Sequence, residues 1–148
     1  MSDISPFVIS ISDQQITDLN NRIANTRWPD AETAADWNQG VPLAYVKELV
    51  QYWGEQYDQQ RLANRLNAFD NFKTNLLGLN IHFMHIRSSN PNARSLLLTH
   101  GWPGSVVEFL KVIGPLTEPQ EHGGKADDAF HLVIPSLPGY GFSDKPQA

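Results

Sequence analysis

Ser95-Leu96-Leu97-Leu98-Thr99-His100-Gly101-Trp102-Pro103-Gly104-Ser105 is the stretch on which the fold turns. Three consecutive leucines ahead of Thr99 predict a short strand covered on both faces, as in a parallel sheet. Ser105 and Glu108, three apart, form a capping box that opens a helix. Val106, Phe109, Leu110 and Ile113 then fall at i, i+3, i+4 and i+7, and Gly114-Pro115 is expected to end it. A polar loop over 118–128 leads to Phe130-His131-Leu132-Val133-Ile134-Pro135, a second buried strand. Strand, helix and strand at this spacing make a right-handed βαβ unit, so the fold class is α/β.

The turn inside that unit also carries chemistry. Gly101 and Gly104 relax the backbone on either side of a bulky residue, and Pro103 fixes one torsion. The Trp102-Pro103 bond is a candidate cis peptide. The Trp102 N–H is then free to point into a cleft, where a donor aimed at a developing negative charge is a large catalytic term. The simpler reading is a strand-to-helix turn that needs glycines for geometry alone.

Working outward, the period changes from 3.6 to 2 near residue 69. Phe69 to Thr74 and Ile81 to Ile86 read as two strands of an antiparallel hairpin turning at Leu77-Gly78-Leu79-Asn80. Before them the chain is mainly helical. Phe7 to Ile11 is a short β-prone run, and Ser12 with Gln15 opens a helix carrying Ile16, Leu19 and Ile23 that Trp28-Pro29-Asp30 should stop. Pro42 starts a second helix with the stripe Leu43, Val46, Leu49, Val50, Trp53 and Tyr57. Asp58 caps a third, with Leu62, Leu66 and Phe69. Core packing is the expected role of these aromatics, and Trp37 is expected to be packed under a loop.

Composition narrows the function. At 148 residues the chain is long enough for one domain with a real core. A net charge of −5 argues against nucleic acid as a partner. Without cysteine there is no disulfide scaffold, no thiolate metal site and no Cys nucleophile, which suits a reducing compartment; a cytoplasmic location is expected. No apolar run approaches a membrane span. His82 and His85 lie three apart in a strand and point to opposite faces, so they cannot share a metal. His122 should be solvated and His131 packed. Gly139-Tyr140-Gly141 fails the dinucleotide fingerprint, because its third glycine position holds Asp144. No metal and no cofactor are expected. Gly-x-Ser-x-Gly and Gly-x-Asp-x-Gly are both absent from these residues, so no nucleophile elbow is found.

Several motifs together resemble the N-terminal part of an epoxide hydrolase of the microsomal and juvenile-hormone type. They are Pro6-Phe7, Thr26-Arg27-Trp28-Pro29, Gly40-Val41-Pro42-Leu43, Tyr52-Trp53, Leu66-Asn67-Ala68-Phe69, Ile81-His82-Phe83, His100 to Ser105, and Pro135 to Ser143. One departure is Gln59, where that family often has Trp after the residue matching Asp58. The resemblance implies an incomplete α/β-hydrolase fold preceded by a helical meander, with 1–68 as the N-terminal helical region and 69–148 as the first strands of the core. It implies that Trp102 supplies a backbone N–H to an oxyanion hole shaped by His100, Gly101, Pro103 and Gly104. It also implies a small apolar epoxide as substrate of the full-length form. The elbow Asp, the lid tyrosines and the His-carboxylate pair of that family all lie beyond Ala148. The chain is therefore expected to be a fragment, a truncated product or one piece of a split enzyme, inactive alone, and open to self-association or a partner chain through an exposed sheet edge. Two alternatives stand beside this: a piece of another α/β-hydrolase (dehalogenase, peptidase or esterase), or a non-catalytic binding or assembly module.

Overall fold

The computed structural model describes residues 3–147. Two compact units are present: Ser10–Ala63, and the residues that flank it on both sides.

The flanking unit is built on a five-stranded sheet with order β1-β2-β3-β5-β4, where β1 is Ile4–Pro6, β2 Asn71–Leu76, β3 Leu79–Ile86, β4 Arg94–Leu97 and β5 Phe130–Pro135. β2 and β3 form the expected hairpin, with Lys73 opposite His82 and Leu76 opposite Leu79. Leu77 and Gly78 turn it at φ of 52° and 87°. Two residues in left-handed conformation are what a tight hairpin turn demands. β5 runs antiparallel to β3 and parallel to β4, so the βαβ unit is present and β4 is the sheet's edge. Alternation buries His82 and Met84 of β3 and Leu132 and Ile134 of β5, and Ile81 is buried on the opposite face of β3.

Three expectations are corrected here. The first strand is Ile4–Pro6 rather than 7–11. Its pairing with β2 decides its position, and after Phe7 donates to the Asn71 carbonyl the chain leaves the ladder. Ile9 is instead held at both its N–H and its C=O by the Asn67 side chain (2.9 and 2.8 Å). The single helix expected after Ser105 is broken. Val106–Phe109 is a 3-10 turn, and a separate short helix α4 spans Ile113–Thr117. Pro115 lies in the first turn of α4, where its missing N–H costs nothing, so Gly114-Pro115 belongs to a helix start and not a helix end.

The Ser10–Ala63 unit carries α1 (Asp13–Ala24) and α2 (Leu43–Glu55), and α3 (Gln60–Leu66) begins within it. The Ser12–Gln15 capping box is formed. Asp58 caps α3 through its side chain, which accepts from the Gln60 N–H. α1 ends at Asn25, ahead of Trp28-Pro29. Pro42 sits at the N-cap of α2 and brings no side-chain cap. Glu32 substitutes for one by accepting from the Leu43 N–H at 2.8 Å, a bond that holds its carboxyl below the usual range. The apolar stripe is only partly buried: Leu49 and Trp53 remain about half exposed, while Leu43, Val46, Val50 and Tyr57 are partly covered. Trp37 is likewise exposed, with Tyr45 meeting it edge-on at 5.2 Å. α1 packs on α2 where Ile23 lies against Gly54.

Candidate functional site

β4 and β5 are parallel neighbours, and the chain leaves both at the same end of the sheet. The carboxyl ends of parallel strands are where open α/β sheets bind ligands. The Leu98 N–H still bonds to the Val133 carbonyl (3.0 Å); from Thr99 on the backbone is free of the ladder. His100 is buried and joins the two exit loops. The Leu137 N–H donates to its Nε2 at 3.1 Å, so that nitrogen is unprotonated. Nδ1 therefore carries the proton and donates to the Gly101 carbonyl at 3.0 Å. The edge of Tyr140 closes over the ring at 5.2 Å. A neutral imidazole of fixed tautomer thus fastens 100–101 to 137–140.

Trp102 follows directly, 84% exposed and joined to Pro103 by a cis peptide bond. None of the described residues accepts a hydrogen bond from its backbone N–H. Gly104 is required by close approach, since a Cβ there would lie 2.0 Å from Glu108 Oε1 and 2.8 Å from the Gly101 carbonyl oxygen. Glu108 is held in place as the second half of the capping box, accepting from the Ser105 N–H at 3.1 Å. A free N–H on an exposed turn, braced from beneath by a buried histidine and at its far side by a cap, can donate to an oxyanion.

Behind this turn lies a second buried histidine. His82 has no solvent exposure, and both its ring nitrogens are occupied. Asn71 Nδ2 donates to the Leu66 and Phe69 carbonyls, which leaves Asn71 Oδ1 as an acceptor at 3.0 Å from His82 Nε2. Nε2 is therefore protonated, and Nδ1 accepts from the Ser136 hydroxyl at 2.9 Å. The Ser143 hydroxyl accepts from the His82 N–H (2.9 Å) and donates to the Ser136 carbonyl (2.7 Å). Phe7 and Phe142 meet the imidazole edge-on. Burial, and then the positive charge of Lys73, lowers the His82 pKa to about 4, so the ring is neutral. Asp144 pins the far end of the same loop, accepting from the N–H and the side-chain amide of Asn80.

All the residues singled out around Trp102 therefore come together: His100, Gly101, Pro103 and Gly104 flank it in one turn. His82 and His85 point to opposite faces as expected, and no group of three metal-ligating side chains occurs among the described residues. His131 is packed, accepting from the Ser88 N–H, and His122 is exposed. What the sequence reasoning missed is the Asn71–His82–Ser136–Ser143 cluster. The signal was a histidine on the apolar phase of a strand, at Ile81-His82-Phe83-Met84, where alternation forces burial and burial demands partners.

The family model for the epoxide hydrolase N terminus matches residues 4–109. A Stigmatella aurantiaca protein named "Putative epoxide hydrolase" is 58% identical over 143 residues, 97% of this chain and 32% of that protein. Epoxide hydrolase 1 of Sus scrofa is 38% identical over 145 residues, 95% of this chain and 32% of its own length. The juvenile hormone epoxide hydrolase structure from Bombyx mori superposes with a TM-score of 0.85 at 36% identity, covering all of this chain and 35% of that one. Aspergillus niger epoxide hydrolase superposes at 0.82 with 34% identity, covering 98% and 38%. The chain thus spans about a third of the length of the curated relatives it matches. The five strands are part of an α/β-hydrolase sheet, and the chain belongs to the epoxide hydrolase N-terminus family.

Proposed function

We propose that this chain is the part of an epoxide hydrolase that supplies one oxyanion donor, the Trp102 backbone N–H. The observation that carries the reading is that N–H, without a partner among the described residues, on an exposed turn braced by His100 within the matched family region. The reaction implied is cofactor-free and has two steps. A carboxylate attacks an epoxide carbon, the C–O bond breaks, and a tyrosine protonates the departing oxygen, leaving a hydroxy-ester. Water, activated by a histidine paired with a carboxylate, then adds to the ester carbonyl. The Trp102 N–H takes a share of the charge on that tetrahedral oxyanion, which collapses to diol and free carboxylate. Residues 1–148 contribute the donor and its brace, and the nucleophile, the lid tyrosines and the water-activating pair come from elsewhere in the enzyme.

The substrate class is a small apolar epoxide. Residues 1–68 act as the helical N-terminal region and 69–148 as the start of the catalytic core. The finer assignment of a cytoplasmic location rests on the cysteine-free sequence; no helix among the described residues is long and apolar enough to cross a membrane. The β4 edge, with Leu97 63% exposed, is a surface for self-association or for a complementing chain. Incubating the purified 1–148 chain with an aryl epoxide tests the division of labour. No diol above the buffer rate is expected, and turnover by these residues alone would overturn it.

A further inference from the structure

The buried histidine of β3 is unused by the chemistry above, yet three hydrogen bonds and the Ser136–Leu137 peptide link connect it to the oxyanion turn. His82 Nδ1 accepts from Ser136, whose neighbour Leu137 donates to His100, whose Nδ1 holds the Gly101 carbonyl beside Trp102. Ser143 doubles the first link, receiving the His82 N–H and donating to the Ser136 carbonyl. Each side chain in the run has a single satisfied arrangement. Asn71 dictates the His82 tautomer, His82 the direction of the Ser136 hydroxyl, and Leu137 the tautomer of His100. Gly141 seals the joint from the loop side, since a Cβ there would lie 2.6 Å from Ser136 Oγ.

We propose that His82 is a positioning residue for the oxyanion turn, acting through Ser136 and Leu137 on His100. Its imidazole fixes Ser136, and with it the height at which the Leu137 N–H meets His100. His100 in turn sets the carbonyl of Gly101 and so the direction of the Trp102 N–H. The inference rests on the oxyanion reading for its purpose, but its test does not use turnover, so the two can fail separately.

The experiment uses the chain labelled with 15N at histidine and in the backbone. His82→Phe keeps the aromatic packing against Phe7 and Phe142 and removes both polar ends. Ser136→Ala cuts the same link by deleting one hydroxyl. Both variants are expected to turn the His100 ring from the single Nδ1–H form to a mixture of tautomers in its 15N shifts. Both should also speed exchange of the Leu137 amide by about tenfold at a temperature where the sheet stays protected. A control, Ile113→Val in α4, should lower the melting temperature and leave the His100 signals untouched. If Ser136→Ala melts earlier but keeps the wild-type His100 signature and Leu137 protection, the positioning role is wrong. If Ser136→Ala does not fold, the cluster is a folding determinant and the positioning role is equally overturned.

Discussion

At the scale of the residue, the molecule turns on two neutral histidines. His82 is depressed to about 4 by burial, so its unfolded form takes up a proton at a higher pH than its native form. The sign follows directly. Above about pH 6.5 both states are neutral and the full stability is present. Between about 6.5 and 4 the unfolded state binds the extra proton and stability falls as the pH drops, by about 3 kcal/mol in all. Chemical denaturation at stepped pH checks this, and His82→Phe should flatten the slope in that window. His85, lowered mainly by burial, adds a slope of the same sign. A second residue-scale prediction concerns Gly141, at φ 52° with Ser136 Oγ where its Cβ would be. Gly141→Ala should cost roughly 1–3 kcal/mol, read as a lower denaturation midpoint, because both the torsion and the hydroxyl position are lost.

At the scale of the element, the hairpin carries two imperfections that can be relieved. The Thr74 hydroxyl is buried with no partner among the described residues, so Thr74→Val should be neutral to stabilising, by up to about 1 kcal/mol. Leu77 is fully exposed and left-handed, a conformation that costs a leucine more than an asparagine. Leu77→Asn should raise the thermal midpoint by an amount equivalent to about 1 kcal/mol. Elements were also where the sequence was most and least legible. The β2–β3 hairpin, the parallel β4–β5 pair and both Ser capping boxes follow from local periodicity and side-chain reach, and all are present. β1 was displaced because strand position is set by a partner 68 residues away, as in the pairing of Ser5 with Lys73, and not by local propensity. The helix after Ser105 is broken despite its apolar spacing, because that spacing says nothing about the i to i−4 ladder, and a new helix starts with Pro115 in its first turn. The Gly-Trp-Pro-Gly turn at 101–104 was legible as a turn because glycine and proline act on their own backbone. The His82 cluster was not, since its members lie up to 72 positions apart, from Asn71 to Ser143, and only the fold brings them together.

At the scale of the whole molecule, β4 ends the sheet on one side among the described residues. Leu97 stands exposed on a strand whose outer hydrogen-bonding groups face no other strand among the described residues. Such an edge recruits another strand. Light scattering at rising concentration should show the chain associating, and Leu97→Lys should keep it monomeric. A clean wild-type monomer at high concentration would count against the open edge. Whether this chain brings the oxyanion donor to an epoxide hydrolase is tested most directly by transplanting it. Residues 1–148 would replace the matching third of the Stigmatella aurantiaca relative, and diol formation from an aryl epoxide would be measured. A folded chimera is expected to turn the epoxide over while 1–148 alone does not. A chimera that folds yet forms no diol would contradict it.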